Sequence, residues 1–285
     1  MDKKFAYIVA ASKNYTLGLK ALLNSLKVHG NEADVILLLH GFEDEDVLAF
    51  KKYDFRVIAV KSFDKNQVQG TAIKRFELAC KYGVNYSAIC LLDADMFITA
   101  DPKIFFEIAS KGFIVTASNG MIINFNSDYQ KQYNIDLNCD DYPYAKIHTT
   151  VPIFISPSDL DWFQLLYDSP RVDSFDDFLF LNILGIKLNK PEKMLCMPPY
   201  MFTGIHHWML KPETSVIKKG GLLLSGTEEQ VYMVHGKWWD EPWISDLPRV
   251  MYRYLKDQDF GSKNIARVDD ATKLLKEEFE NYLNL

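Results

Sequence analysis

The segment Ala88-Ile-Cys-Leu-Leu-Asp93-Ala-Asp95-Met-Phe-Ile98 is an apolar run interrupted by two carboxylates one residue apart. On an extended backbone, residues i and i+2 face the same side, separated by roughly 6.5–7 Å. Two such side chains can converge on one divalent cation. Leu91 and Leu92 would bury the strand just before the chain emerges at the sheet edge, and the small Ala94 leaves room for a ligand. In open α/β sheets that carboxyl edge is where ligands bind. The implied chemistry is a metal gripping a diphosphate. The structural alternative is a turn capped by the same two carboxylates.

For the pair to reach such an edge, strands and helices must alternate ahead of it. Phe5–Ala11, Val35–Leu39, Arg56–Val60 and Tyr86–Leu92 read as strands, and Thr16–His29, Glu43–Tyr53 and Thr71–Tyr82 as helices. Leu19, Leu22, Leu23 and Leu26 recur at spacings of three and four, and Gly30 and Gly83 are stop signals. Val35–Leu39 is continuously apolar, as a strand covered on both faces must be. Asp101-Pro102 offers an N-cap with proline at the first helical position, and Ile114–Ala117 is the next strand. This rhythm implies an α/β fold with a mostly parallel central sheet flanked by helices and right-handed crossovers.

Residues 119–150 are rich in Asn, Asp and Tyr and weak in periodicity, so an irregular insertion is expected there. Val151–Ile155 reads as a strand, and Ser158–Tyr167 and Phe175–Leu184 as helices. Gly220-Gly221 and Gly226 bracket a short apolar run, and Val231–Val234 is a final strand ending at His235. Asp246–Leu255 and Asp270–Leu283 read as helices. Leu274, Leu275, Phe279 and Leu283 give the last one an apolar side that docking on the domain would bury. The expected organisation is one main domain over 1–245, in two halves, 1–118 and 119–245. A C-terminal helical extension follows at 246–285.

Of the 285 residues, 48% are apolar and 14% aromatic, enough for a full core. The net charge of -6 argues against a general nucleic-acid binder. Cys80, Cys90, Cys139 and Cys196 form no C-x-x-C pair, and Cys80 and Cys90 lie in apolar patterns; they read as buried free thiols in a reducing compartment. Met1-Asp-Lys-Lys-Phe5 leads into a run of only strand length, so no signal peptide is expected. No stretch reaches the roughly 18 apolar residues of a transmembrane helix. A cytoplasmic location is the expectation.

The loop after the first strand, Ala10-Ala11-Ser12-Lys13-Asn14-Tyr15, lacks G-x-G-x-x-G, and the chain lacks G-x-x-x-x-G-K-[ST]. Dinucleotide and P-loop fingerprints are thereby absent. Ala10 and Ala11 permit close approach of a ligand. The Tyr15 ring either covers a nucleobase or packs the following helix against the core.

Three islands then fall in a recognisable order: Tyr7-Ile-Val-Ala-Ala-Ser-Lys-Asn-Tyr15 with Leu22-Leu-Asn-Ser25-Leu26, then Leu91-Leu-Asp93-Ala-Asp95, then His235-Gly236-Lys237-Trp238. This set resembles the GT-A-fold glycosyltransferases, and most closely the glycogenin and lipopolysaccharide-galactosyltransferase relatives of family 8. The resemblance implies metal-dependent transfer of a sugar from a nucleotide-diphosphate sugar, UDP-linked, to an acceptor, with retention of configuration. It implies Asp93, Asp95 and His235 as metal ligands, with Asp93 also toward the ribose. Mixed oxygen and nitrogen ligation suits Mn²⁺ better than Mg²⁺. It also implies a basic residue on the preceding helix, matched by Lys74 or Arg75, and a phosphate-binding cation at Lys237. With Ala10, Ala11, Tyr15 and Gly236 these would line the nucleotide. In Ser174-Phe-Asp176-Asp177, the two carboxylates match an acidic–polar pair beside the donor sugar, which assigns Asp176 and Asp177 the catalytic roles. They would stabilise an oxocarbenium-like sugar or bind its hydroxyls.

The chain departs from the family pattern twice. Thr149-Thr-Val-Pro-Ile-Phe-Ile155 stands where an Asn-x-Gly segment is usual, and the His-to-Lys spacing is compressed. Each assignment also has a structural alternative. A late histidine commonly serves as a hydrogen-bonder, helix residues such as Lys74 and Arg75 are commonly solvated, and Asp is favoured in a helix first turn by the dipole. Trp238, Trp239 and Trp243 either stack on a sugar acceptor or belong to a core or interface. The acceptor itself, whether glycan, protein, lipid or small molecule, is not identified by the residues. Two other readings are a non-catalytic nucleotide-sugar-binding protein and a haloacid-dehalogenase-type phosphatase. The latter also places Asp-x-Asp after an apolar strand, but at the opening of its fold and with Thr or Val where Phe97 stands here.

Overall fold

The computed structural model describes residues 4–29, 32–53, 57–62, 70–122, 146–168, 181, 184–198, 201–203, 216–236 and 261–285. The helix expected at Asp246–Leu255 lies outside them, as does most of that expected at Phe175–Leu184.

Strands β1 (Phe5–Ser12), β2 (Asp34–His40), β3 (Val57–Ser62) and β4 (Ala88–Asp93) are parallel and lie in the order β3-β2-β1-β4. Helices α1 (Thr16–Val28), α2 (Asp44–Phe50) and α3 (Gly70–Gly83) form the crossovers. The chain continues through β5 (Met96–Ile98), α4 (Lys103–Ala109), β6 (Ile114–Ile122), β7 (Lys146–Ile155), α5 (Asp161–Asp168) and β8 (Met194–Met197). β7, β6 and β8 complete a seven-stranded sheet, β3-β2-β1-β4-β7-β6-β8, in which only β7 runs against its neighbours. The mostly parallel sheet expected from the alternating pattern is therefore present.

Three further features lie off this sheet. β9 (Phe202–Thr203) and β12 (Met233–His235) join β5 in a small sheet ordered β5-β12-β9. β10 (Val216–Lys219) and β11 (Leu222–Ser225) form a hairpin, turned by Gly220 and Gly221 at φ 59° and 85°. A two-residue turn of that hand matches strand twist and needs positive φ at both positions, which glycine adopts without penalty. Helix α6 (Gly261–Leu283) closes the chain.

The local chemistry explains the elements. Leu19, Leu22, Leu23 and Leu26 of α1 are all fully buried, so the three-and-four spacing faces the core. Every residue of β2 is buried, as its uninterrupted apolar run requires. Phe106 of α4 lies 4.9 Å from Phe5, 5.0 Å from Tyr7 and 5.0 Å from Phe154, measured between ring centres, and so staples β1 and β7 from one face. A second buried cluster gathers Ala21, Phe97, Val216, Leu223, Val231, Val234, Ala271, Leu275, Phe279 and Tyr282. Leu275 and Phe279 thus dock the last helix on the domain, with Leu274 and Leu283 half-buried at its margin.

Two local expectations are corrected. Pro102 stands at the N-cap of α4 rather than at its first helical position, while the Asp101 carboxylate accepts the Lys103 N–H at 2.9 Å. The 119–150 segment is not irregular throughout. β6 runs to Ile122 and β7 starts at Lys146, with Ser118 opposite His148 and Ile122 opposite Lys146. Backbone pairing extends both strands past the point where side-chain alternation signals them, with register shifts along the way.

Two polar contacts inside the fold carry much of its order. Ser25 Oγ, fully buried on α1, donates to Leu22 O at 2.7 Å and accepts the Ile98 N–H at 2.9 Å, tying β5 to the helix. Beyond β7, Lys190 Nζ donates to Asp159 at 2.9 Å and to Asp161 at 2.7 Å, and Lys193 adds a bond to Asp159 at 2.9 Å. Burial alone would raise the Asp159 pKa, but the hydrogen bonds and charges of the two lysines outweigh it and hold the carboxyl below its ordinary value.

Replacing Ser25 by Ala strips the buried Ile98 N–H of its acceptor and should cost about 1–3 kcal/mol by urea unfolding. Lys190→Met removes one of the two lysines that compensate Asp159 and should cost about 3 kcal/mol. A loss below about 0.5 kcal/mol in either case would show that the contact does not hold the fold.

Candidate metal centre

β4 is buried until Asp93, which ends it half-exposed. Ala94 and Asp95 then form a turn, and Met96 begins β5 in the other sheet. The strand expected to feed the pair is present, while the backbone across the pair, expected to be extended, makes a turn. The chain leaves the main sheet between the two carboxylates because β5 pairs with β12 instead. That antiparallel pairing puts Met96 opposite His235 and Phe97 opposite Val234, and the Gly236 N–H bonds Asp95 O at 2.7 Å. Gly236 has φ 153°, a region open essentially to glycine, and lets the chain turn away directly after His235.

The result brings three donor groups together. His235 Nε2 lies 3.1 Å from Asp95 Oδ1 and 3.4 Å from Asp93 Oδ2. The three ligand atoms all fall within 4.8 Å of one another. Two carboxylates and an imidazole at that spacing have the chemistry and size to share a divalent cation. Asp95 is buried, whereas His235 keeps 31% of its side chain exposed, so the cluster opens to solvent on one side.

Arg75 is the group whose placement the sequence left undecided. It is 3% exposed on α3, its guanidinium pairs with Asp93 Oδ1, and it lies over the Phe76 ring at 5.2 Å. It is thus a partner of the acidic pair, not a solvated helix residue. Lys74, beside it, is half-buried. Adjacent helical residues point about 100° apart, so only one of them can face the pair directly.

Electrostatics follow the geometry. Burial would push the His235 imidazole pKa down. The Asp95 charge, the Asp95 hydrogen bond and the Asp93 charge together outweigh it, Arg75 opposes them, and the net result is a pKa raised to about 9.

The other expected residues are distributed as follows. Ala10 pairs with Asp93 across β1 and β4, and buried Ala11 follows it, so both small residues lie at the same carboxyl edge. Tyr15 ends a single 3-10 turn, half-buried and packed against the main core. Its packing role is therefore present beside whatever it does for a ligand. Lys237, Asp176, Asp177, Trp238, Trp239 and Trp243 lie outside the described residues. Sequence reasoning did not single out Phe97 or the Ser25–Ile98 bond as supports of the site. A serine on the core face of an amphipathic helix was the available signal for the latter.

No family model matches the chain, and no curated protein matches it. Solved structures do. The apo structure of WbbM, a bifunctional glycosyltransferase, aligns over 89% of this chain with a TM-score of 0.53 and 14% identity. This chain spans about half of that one, 52% of its length. The galactosyltransferase LgtC, in complex with donor and acceptor sugar analogues, aligns over 87% of this chain and 94% of its own, with a TM-score of 0.53 and 12% identity. An active-site mutant of LgtC aligns over the same shares with a TM-score of 0.54 and 12% identity. At these identities the likeness is one of fold: the chain has a GT-A-like architecture shared with these glycosyltransferases.

Proposed function

We propose that this chain is a metal-dependent glycosyltransferase. It moves a sugar from a nucleotide-diphosphate sugar, UDP-linked, to an acceptor, with retention of configuration. The observation that carries this reading is the meeting of Asp93, Asp95 and His235 at the carboxyl edge of the sheet, in a fold shared with sugar-transferring enzymes. Asp95 and His235 would hold Mn²⁺, or Mg²⁺, with Asp93 as a third ligand or as the ribose acceptor. When bound, the metal supplies Lewis-acid neutralisation of the departing diphosphate.

The chain's own charges support an anionic ligand. Asp93 and Asp95 contribute -2, and Arg75 with protonated His235 contributes +2, so the metal-free cluster is neutral. Exchange of the imidazole proton for a divalent cation leaves -2 from the carboxylates, +1 from Arg75 and +2 from the ion, a net +1. A site of that sign favours a diphosphate. Arg75 fixes the Asp93 carboxylate, while Lys74 and Lys237 are the further cations assigned to the phosphates. Ala10, Ala11 and Gly236 give the nucleotide close access to backbone, and the exposed part of Tyr15 covers the base. Asp176 and Asp177 keep the catalytic assignment beside the donor sugar.

The halves 1–118 and 119–245 and the extension 246–285 remain our division of the chain. Among the described residues no helix is long and apolar enough to cross a membrane. With Cys80 and Cys90 as thiols, this supports a cytoplasmic location.

The direct test incubates the protein with UDP-sugars and Mn²⁺ and measures sugar release or transfer. Turnover is expected. Tight UDP binding without turnover would instead identify a nucleotide-sugar-binding protein, the reading favoured by Thr149-Thr-Val-Pro-Ile153 standing where Asn-x-Gly is usual. Activity on simple phosphomonoesters would identify a phosphatase. Asp95→Asn should weaken Mn²⁺-dependent UDP binding by roughly 100-fold in calorimetry while leaving the circular dichroism unchanged. Unaltered affinity would remove Asp95 from the site.

A pH dependence follows from His235. Its folded pKa of about 9 exceeds the ordinary 6.5, so the stability it contributes is complete below about 6.5 and is lost as pH rises through about 9. The melting temperature of the metal-free protein should fall across that window, and His235→Gln should flatten the slope. Because the same proton competes with metal, the melting-temperature gain from Mn²⁺ should grow over the same range. An Mn²⁺ gain independent of pH would exclude His235 as a ligand.

A further inference from the structure

The metal triad stands on two short strands that separate two cores. Met96, Ile98 and Met233 point into the main core, while Phe97 and Val234, opposite each other across β5 and β12, point into the second cluster. Phe97 is two residues from Asp95, and Val234 is next to His235. What packs against them is helix α6. The Phe97 ring centre lies 5.5 Å from that of Tyr282 and 6.5 Å from that of Phe279. The helix is fastened in turn to α1, since Asn24 Nδ2 donates to Tyr282 O at 2.8 Å and His29 Nε2 lies 2.9 Å from Tyr282 Oη. Lys218 of the hairpin pairs with Glu278 on the same helix.

A three-residue strand pair has few hydrogen bonds of its own. Short strands of that kind are not stable alone and take their position from what they pack against. Ser25 fixes β5 from the α1 side at Ile98. The opposite face of the pair is fixed by α6.

We propose that Phe279 and Tyr282 are positioning residues for the cation site: acting through Phe97 and Val234, the last helix holds Asp95 and His235 at ligand spacing. This rests on the metal-site reading above. A ligand set must be held to within about 0.5 Å to bind a cation tightly, and supporting groups commonly set affinity by ten- to a hundredfold. Affinity for the metal is therefore a property of a helix more than 130 residues away in sequence from the Asp pair, and loosening that helix opens the triad without touching a ligand.

The test is calorimetric titration of Mn²⁺ alone into the full chain, well below the melting temperature, with the melting temperature recorded for each variant. Phe279→Ala should weaken Mn²⁺ binding about tenfold, and Phe279→Leu, which refills most of the space, should restore most of it. Tyr282→Phe, which keeps the ring but releases His29, should lie between. Ile114→Ala serves as a control for stability loss alone, because Ile114 is fully buried in the main core at the start of β6. It should lower the melting temperature comparably and leave the Mn²⁺ dissociation constant within twofold. If Phe279→Ala and Tyr282→Phe lower the melting temperature but bind Mn²⁺ as the unsubstituted chain does, the positioning role is overturned and the metal site stands. If the unsubstituted chain binds no Mn²⁺, both are overturned.

Discussion

The pairing of β5 with β12 is the constraint on which the candidate site depends. It is only three residues deep, yet its register decides that a histidine at position 235 meets carboxylates at 93 and 95. A slip of one residue would turn His235 to the face now held by Val234 and put Phe97 where Met96 lies. The register is protected by burial. Phe97 and Val234 are fully buried on one side, and Met96, Ile98 and Met233 are buried on the other. Shifting the pair would exchange their environments on both strands at once.

The main sheet serves this pairing in a different way. Its parallel strands bring Ala10 and Asp93 side by side at the carboxyl edge, and α3 delivers Arg75 to the same place from the helical layer. Burying a guanidinium is costly unless it is paired, and a carboxylate at the mouth of a sheet supplies the partner. Arg75 and Asp93 pair, and the pairing fixes one member of the acidic pair. Asp95 is held from the small sheet. Its backbone carbonyl is held by Gly236 and its carboxylate faces His235, so its position is inherited from the small sheet. The two carboxylates, one residue apart in sequence, thus belong to two different structural units.

The arrangement also shows how a metal-free acidic cluster is kept folded. Two carboxylates this close repel each other, and the imidazole that meets them takes up a proton far above its ordinary range. That proton occupies, electrostatically, the place a cation would take. At Asp159, itself fully buried, two lysines supply the compensating charge, Lys190 buried and Lys193 half-exposed. The clusters differ in their cationic partners: an imidazole can give up its proton and offer a nitrogen to a metal, whereas a lysine ammonium only donates.

The sequence by itself determined the elements and one side of the site. The spacing of Leu19, Leu22, Leu23 and Leu26, the unbroken apolar run through β2 and the apolar approach to Asp93 are local signals, because burial on one or both faces writes itself into consecutive residues. Ala10 and Ala11 followed from strand position for the same reason. The resemblance had already named His235 beside the acidic pair; what only the tertiary structure decided is how the three are brought together and which helix residue joins them. Arg75 and Lys74 are neighbours whose roles depend on helix rotation, which no local pattern records. The turn at Ala94-Asp95, the extension of β6 and β7 beyond their periodic cores and the seat of Phe97 in the second core arise from pairing with strands tens to more than a hundred residues away. Such partners are chosen by packing across space, and spacing along the chain carries no trace of that choice.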